Sequence, residues 1–291
     1  MKPIPHLVPA RWPADLSPAR FASTFRTDSP DGCRIALLGI PDDRGVGMNH
    51  GRPGAARGPA AFREALCRYG AAASAAGELP RVFDAGDIAV SDTLQETHRR
   101  VTAATGALLD AGLFPIAIGG GHDLTYPFVR AIATRYPQPT GLYFDAHLDV
   151  RETPGSGMPF RRLIEDCGVR ALHLHGFRPL VNSAAHLAWF QAHGGRIHPD
   201  RARVVLPKAK HLFVSFDLDV LDAAHAPGVS ALNPAGWTVR EAEAWVRACG
   251  ANRTVRCFDL MELNPAHDAD GRTARVAAHL FLSFLRGFAE R

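Results

Sequence analysis

The feature of this sequence that most constrains its fold is a set of apolar runs of strand length, each of which ends in polar residues. The clearest run is LYF at residues 142–144, which leads into DAHLD at residues 145–149. In an extended backbone alternate side chains point the same way, so Asp145, His147 and Asp149 are predicted to share one face. Carboxylates placed side by side repel one another and are costly to desolvate. The pattern therefore predicts a bound cation.

Two further apolar runs end in the same way. The run at residues 212–216 is followed by Asp217 and Asp219, again at alternate positions, and the run at residues 115–118 leads through a triple glycine to His122. By itself, a glycine run before a helix is equally typical of a phosphate site. Ligands of open parallel sheets, however, bind beyond the carboxyl ends of the strands. We therefore expect these three residues to join the first three at one edge of a sheet as metal ligands.

Strand-like and helix-like segments alternate along most of the chain. This alternation predicts an α/β fold with a parallel sheet and helices on both of its faces. Residues 1–31, rich in Pro, Ser and Arg, are expected to form an irregular arm, and residues 32–291 a single domain. The expected strands are 34–39, 81–84, 114–118, 141–144, 171–175, 211–216 and 254–259. The expected helices are 59–69, 94–111, 124–135, 183–193, 239–249 and 272–288.

Composition and charge argue against several classes of protein. Hydrophobic residues make up 46% of the 291 residues, which is enough for a large core. The net charge of +4 comes from scattered basic residues, so we expect no nucleic-acid partner. No stretch approaches the roughly 20 apolar residues of a membrane span, and the N-terminus has no signal core. Five widely spaced cysteines without a CxxC pair are typical of a reducing compartment, so we expect a soluble, cytoplasmic protein.

The type and number of the ligands indicate which metal they hold. Two histidines and four aspartates are too many for one tetrahedral zinc ion, and no cysteine is placed to help. Mostly oxygen ligands suit a pair of manganese ions that share carboxylates. Two metal ions about 3.5–4 Å apart lower the pKa of a shared water enough to give hydroxide near neutral pH. The ligand set therefore predicts metal-assisted hydrolysis.

Three motifs of the chain resemble those of the ureohydrolase family, which contains arginase, agmatinase and formimidoylglutamase. They are GGGHD at residues 119–123, DAHLD at residues 145–149 and SFDLD at residues 215–219. Shorter agreements extend the resemblance from about residue 35 to about residue 277. These shorter agreements are at residues 51–55, 58–59, 84–87, 261–265 and 271–274.

The resemblance implies a fold, a cofactor and an assembly. The fold would be the arginase-like three-layer αβα sandwich with a mainly parallel sheet of about eight strands. The cofactor would be two Mn²⁺ ions per subunit, and the substrate would be a small molecule. The protein would form a homo-oligomer, because relatives are often trimers or hexamers. By motif position the metal ligands would be His122, Asp145, His147, Asp149, Asp217 and Asp219.

The segment after the second motif bears on the substrate. Arginases and agmatinases carry a histidine, thought to shuttle protons, a few residues beyond that motif, whereas residues 150–161 contain none. The segment resembles the SGTPFR stretch of formimidoylglutamases, with Met158 in place of the usual threonine. Residues 221–231, Asn49 and Gly121 also resemble that branch. We therefore predict hydrolysis of N-formimino-L-glutamate to L-glutamate and formamide, a step of histidine degradation.

Two alternatives stay open. Because Met158 departs from the branch pattern, a guanidine-group hydrolase that releases urea from agmatine, guanidinobutyrate or arginine is the other enzymatic interpretation. The second alternative is a non-catalytic metal-binding scaffold that acts through its partners. The complete set of ligand positions argues against that loss of activity.

Other site residues are assigned from the chemistry of such a substrate. A carboxylate binds and orients an amidinium-like cation, and this is the role expected of Glu262, as an alternative to a surface glutamate or a buried partner of an arginine. Arginine suits carboxylates through its bidentate geometry, so Arg161 first, then Arg151 and Arg178, are expected to bind the substrate. Each of these arginines could equally be an exposed surface residue. Asn49 is also expected to contact the substrate.

Asp149 is expected to have a second role besides that of a ligand. In the absence of the shuttle histidine, it is the group predicted to pass a proton to the departing amine. Histidines outside the motifs are expected to be structural or surface residues; they include His173, His175, His186 and His193.

Overall fold

A computed structural model describes residues 3–70, 78–199 and 204–291. The strands are β1 (Leu7–Val8), β2 (Ile35–Ile40), β3 (Val82–Ile88), β4 (Phe114–Gly119), β5 (Thr140–Phe144), β6 (Leu172–His175), β7 (Gly195–Ile197), β8 (Leu212–Asp217) and β9 (Val255–Met261). The α-helices are α1 (Arg44–Met48), α2 (Gly58–Leu66), α3 (Leu94–Asp110), α4 (Thr125–Arg135), α5 (Pro159–Cys167), α6 (Ala184–Ala192), α7 (Val239–Ala251) and α8 (Arg272–Phe288). None of the helices in the described ranges is both long and apolar enough to cross a membrane.

The strands form one sheet in which all pairs of neighbouring strands are parallel except the pair of β1 and β3. Their order from edge to edge is β1-β3-β2-β4-β9-β8-β5-β6-β7, and β1 pairs antiparallel with β3. The prediction of a mainly parallel sheet of about eight strands is confirmed, and all seven expected strands are present. The sequence does not predict β1 and β7, because two or three residues are too few to show a periodic pattern.

Alternate residues of the central strands belong to two separate cores, one on each face of the sheet. In β5, Leu142 and Phe144 join a core that includes Phe281 of α8. Tyr143, which lies between them, joins the opposite core with Phe160 of α5. Helices α2, α7 and α8 cover the first face, and α3, α4, α5 and α6 cover the second. This arrangement is the expected three-layer αβα sandwich.

The N-terminal segment packs against this sandwich. Strand β1 pairs with the end of β3, and Phe21, in a 3-10 helix, is buried in the first core. The indole Nε1 of Trp12 donates a hydrogen bond to Asp84 Oδ2 at 2.9 Å. Within residues 3–31, the described part of this segment, there is no α-helix. The division into an arm and a domain near residue 31 stays a prediction.

The middle of the sheet determines where a site can form. Strands β4, β9, β8 and β5 are neighbours and run parallel, so their carboxyl ends lie side by side although they are far apart in the sequence. Side chains just beyond these four ends therefore converge on one place, as is usual for ligand sites of open α/β sheets.

Candidate metal centre

The ends of the four central strands position the polar side chains of the site. His122 opens a 3-10 helix two residues beyond the end of β4, and the loop of residues 145–149 follows β5. Asp217 is the last residue of β8, and Asp219 lies in the 3-10 helix that follows it. The structure thus brings all six residues predicted as metal ligands to one edge of the sheet.

Four of these residues form a deep group around the imidazole of His122. Its Nδ1 atom lies 3.1 Å from Asp145 Oδ2, 2.9 Å from Asp149 Oδ2 and 3.0 Å from Asp217 Oδ2. The side chain of His122 is only 1% exposed. One nitrogen and three carboxylate oxygens from three different strand ends therefore face a common point.

A second, shallower group forms around His147. Its Nδ1 atom lies 3.0 Å from Asp219 Oδ2 and 3.3 Å from Asp145 Oδ1. The side chain of His147 is 27% exposed. Asp145 belongs to both groups, with one oxygen directed to each, so its carboxylate is placed to bridge two ions.

The electrostatics of the site indicate that it holds cations. Burial, together with the neighbouring Asp149 and Asp219, raises the pKa of Asp145 to about 6. Burial, together with Asp219 and Asp145, holds the pKa of Asp217 well above its usual value. Carboxylates with raised pKa values resist ionisation side by side, and a bound cation would relieve the repulsion.

The ligand atoms fit a pair of metal ions. His122 Nδ1 and Asp145 Oδ2 are buried and have no hydrogen-bond partner among the described residues. Buried polar atoms normally have a partner, so these two atoms are available to a ligand. Neither group includes a cysteine, and the donors are mainly carboxylate oxygens with one imidazole each. Such donors suit manganese better than a structural zinc site.

A series of buried hydrogen bonds supports the imidazole of His122 at its Nε2 atom. Its Nε2 atom lies 3.0 Å from Ser215 Oγ, and Ser215 Oγ donates to Asp259 Oδ1 at 2.6 Å. Thr125 Oγ1 donates to the other oxygen of Asp259 at 3.2 Å. No pattern in the sequence predicts this series of hydrogen bonds. Ser215 is two residues before Asp217 and so faces the same way, but nothing local connects it with Asp259 of β9.

Glu262 lies directly after β9 and shares the edge with the two groups. Its Oε1 accepts a hydrogen bond from the His122 N–H at 2.9 Å, while its buried Oε2 has no partner among the described residues. Burial raises the pKa of Glu262 to about 8, against the opposing effect of the His122 N–H. Asp149 and Glu262 both have left-handed backbones, with φ of 48° and 66°. This conformation is uncommon for residues other than glycine and concentrates at functional sites.

A cavity of about 430 Å³ opens over the two groups. The carboxylates that line it are those of Asp149, Asp217, Asp219 and Glu262, which belong to the two groups or contact them. We call these side chains the floor of the cavity and the other polar lining residues its wall. Its wall is basic or neutral. The polar wall residues are Asn49, His50, Arg151, Ser156, Asn182, Ser183, His186 and Ser230.

The residues expected to bind substrate divide between this cavity and other places. Arg151 and Asn49 line the cavity. Arg161 does not, because its guanidinium pairs with Glu165 at 2.9 Å and with Glu152 at 2.7 Å. Arg178 lines a neighbouring apolar cleft instead.

The histidines outside the motifs also have different surroundings. His186, expected at the surface or in a structural role, lines the cavity wall. His173 Nδ1 lies 2.9 Å from His198 Nε2, His175 is buried, and His193 stacks on Trp189. The cavity is not lined by His173, His175 or His193.

The fold and the site define the class of protein. The arginase family profile matches residues 33–286, and the chain belongs to the arginase family. A formimidoylglutamase of Aromatoleum aromaticum is 38% identical over 304 residues, which cover 91% of this chain and 85% of that protein. The human mitochondrial guanidino acid hydrolase is 32% identical over 287 residues, covering 88% of this chain and 79% of that protein. A crystal structure of Trypanosoma cruzi formiminoglutamase with manganese has a TM-score of 0.87 and 32% identity, covering 94% of this chain and 99% of that chain.

Proposed function

We propose that this protein is a manganese-dependent hydrolase that cleaves N-formimino-L-glutamate to L-glutamate and formamide. The observation that carries the proposal is the separation of charge in the cavity. All four carboxylates that line it are on the floor, and the wall contributes Arg151 with neutral or weakly basic groups. A substrate with a cationic amidinium at one end and two carboxylates at the other has the complementary distribution.

The floor is proposed to hold the metal ions and the amidinium group. His122, Asp145, Asp149 and Asp217 would hold one ion, and Asp145, His147 and Asp219 the other. When bound, a manganese pair supplies a water of lowered pKa as the nucleophile. The free Oε2 of Glu262 is available to bind and orient the amidinium, and the cation would favour the ionised carboxylate.

The wall is proposed to recognise the carboxylates of the substrate. The guanidinium of Arg151 makes no ion pair with any described residue, so it is available for a bidentate contact. Asn49 Nδ2 donates to Ser156 Oγ at 3.2 Å beside it. Asp149, which faces both His122 and the cavity, would accept a proton from the attacking water and pass it to the departing amine of glutamate as the carbon–nitrogen bond breaks.

Guanidino acid hydrolysis is the second candidate. Arg151 would pair equally well with the carboxylate of guanidinobutyrate, and the human relative carries the name of that class. Agmatine fits less well, because its ammonium end would lie against the basic wall.

A substrate panel tests the proposal. Manganese-loaded protein is incubated with N-formimino-L-glutamate, guanidinobutyrate, agmatine and L-arginine, and release of glutamate and of urea is measured. We expect glutamate from the first substrate. Urea from a guanidine compound without glutamate from formiminoglutamate would overturn the proposed substrate.

A homo-oligomer and a cytoplasmic location remain part of the proposal, and the free state of all five cysteines supports a reducing compartment.

A further inference from the structure

Asn182 uses its whole side-chain amide to hold the loop that contains His147. It lies between a short 3-10 helix (Pro179–Val181) and α6. Its Oδ1 accepts the N–H of Leu148 at 2.9 Å, and its Nδ2 donates to the carbonyl of Ala146 at 2.9 Å. Nδ2 also donates to the carbonyl of Arg178 at 2.8 Å. The carbonyl of Ala146 and the N–H of Leu148 belong to the two peptide groups on either side of His147.

These two bonds matter because the loop has no regular structure of its own. Residues 145–150 form neither strand nor helix, so no ladder of backbone hydrogen bonds fixes the orientation of His147. Other contacts act on the loop as well: the His147 N–H donates to Asp145 Oδ1 at 2.6 Å, and the carbonyl of Ala146 also accepts the Arg178 N–H at 3.0 Å. Asp145 N–H donates to the carbonyl of His175 at 3.0 Å, and the hydroxyl of Tyr143 donates to the carbonyl of Leu148 at 3.1 Å. Asn182 is the residue whose side chain joins the peptide groups on both sides of His147.

Asn182 also belongs to the cavity wall. It lines the cavity together with Val181, Ser183 and His186. A ligand that contacts this wall therefore contacts the residue that supports the shallow group. In the deep group the cavity-lining Glu262 accepts the His122 N–H, but Ser215 and Asp259, which support the imidazole of His122, are buried and do not line the cavity.

We propose that Asn182 is a positioning residue for the ion held by Asp145, His147 and Asp219, acting through the peptide groups that flank His147. The inference rests on the proposed metal centre. Polar partners that orient metal ligands typically change metal affinity by about 10- to 100-fold. Loss of the Asn182 amide should therefore weaken the shallow ion by about that factor and leave the deep ion unaffected.

The test uses Asn182→Ala and the isosteric Asn182→Asp. The second variant keeps the size of the side chain and an acceptor for Leu148 N–H but loses both donor bonds. Manganese binding to metal-free protein is followed by calorimetry, and electron paramagnetic resonance distinguishes coupled ion pairs from isolated ions. We expect both variants to show isolated ions at manganese concentrations where the wild-type protein shows pairs. Excess manganese should restore kcat with little change in KM, because the residue acts through the ion.

The matched control is Asn252→Ala. The Oδ1 of Asn252 accepts two hydrogen bonds of 2.8 Å from Thr254 in the turn before β9, away from the site. This variant should lose some stability and keep wild-type manganese binding and activity. If it loses the shallow ion as Asn182→Ala does, the effect is one of general stability and the proposal is overturned.

The remaining outcomes separate this inference from the proposed reaction. A folded Asn182 variant that binds both ions with wild-type affinity overturns the positioning role and leaves the proposed reaction untouched. Metal-loaded wild-type protein that binds two ions and hydrolyses no amidine overturns the reaction while the binding data still support Asn182. Wild-type protein that takes up only one ion overturns the binuclear centre and the role of Asn182 together.

Discussion

The two halves of the metal centre are built differently. His122 is almost fully buried, lies close to the end of a central strand, and is supported by Ser215 and Asp259 from two other strands. His147 is about a quarter exposed, lies in an irregular loop, and is supported by Asn182 from a second loop. Elements with fewer buried contacts and more exposed backbone open at lower free energy than core strands. We therefore expect the deep group to hold its ion firmly and the shallow group to exchange its ion more readily.

The largest expected effect follows from removing a ligand of the deep half. In Asp217→Ala, the carboxylate oxygen that lies 3.0 Å from His122 Nδ1 is lost. Since supporting partners alone change metal affinity by about 10- to 100-fold, loss of a ligand should lower manganese content and hydrolysis together by at least about 100-fold. Metal analysis and turnover measure both. Asp110→Ala, which removes an exposed pair with Arg135, should change neither. Unchanged manganese stoichiometry in Asp217→Ala would count against the ligand assignment.

A smaller effect is expected when the support of the deep half is removed. Ser215→Ala leaves His122 Nε2 and one oxygen of buried Asp259 without their partner. We expect a roughly 10-fold or greater loss of affinity for the deep ion. We also expect a loss of about 1–3 kcal/mol in the free energy of unfolding, because a buried acceptor is left unsatisfied. Calorimetric manganese titration and denaturant unfolding measure the two effects.

The control for that experiment is Ser283→Ala. Ser283 is buried in α8 and donates to the carbonyl of His279 at 2.9 Å, away from the site. It should change stability without changing manganese binding. If Ser215→Ala loses affinity for the shallow ion only, the contrast between the two halves is reversed.

The smallest expected effect concerns the cavity wall, where two arginines can be compared. Arg151→Ala should raise KM for formiminoglutamate by about 10-fold with a smaller change in kcat, because a charged hydrogen bond contributes about 1.5–3 kcal/mol. Arg161→Ala should leave KM near the wild-type value, because Arg161 is paired with Glu152 and Glu165. Steady-state kinetics on both variants decide between them. If KM rises only in Arg161→Ala, the carboxylates of the substrate contact Arg161 and not Arg151, and the proposed contact with the cavity wall is wrong.

Local patterns predicted the ligands because each was attached to a strong strand signal. Asp217 ends a six-residue buried strand and Asp219 lies two residues beyond it, so period two predicted their common face. The structure places Arg161 outside the cavity, and its expected contact with the substrate stays a prediction. Arg161 and Glu165 are four residues apart, a spacing typical of an ion pair on one helix face, and the pair lies in α5, which the sequence analysis did not predict.

Partners that are distant in sequence could not be predicted. Ser215 and Asp259 lie on neighbouring strands, and Asn182 reaches Leu148 from another loop, 34 residues away. The residues themselves give no signal of these contacts, because serine and asparagine are common in loops and at strand ends. Only the register of the strands and the path of the loops bring them together.

The sequence by itself determined the parallel α/β architecture and the six residues predicted as metal ligands. Both follow from local periodicity, since alternation within a strand depends only on neighbouring residues. The tertiary structure alone decided which of the predicted ligands lie together, which histidine is deep, and which arginine lines the cavity. These properties depend on the order β4-β9-β8-β5, which places segments next to one another that are more than 100 residues apart in the chain. No local pattern contains that order, because it results from how the helices pack on both faces of the sheet.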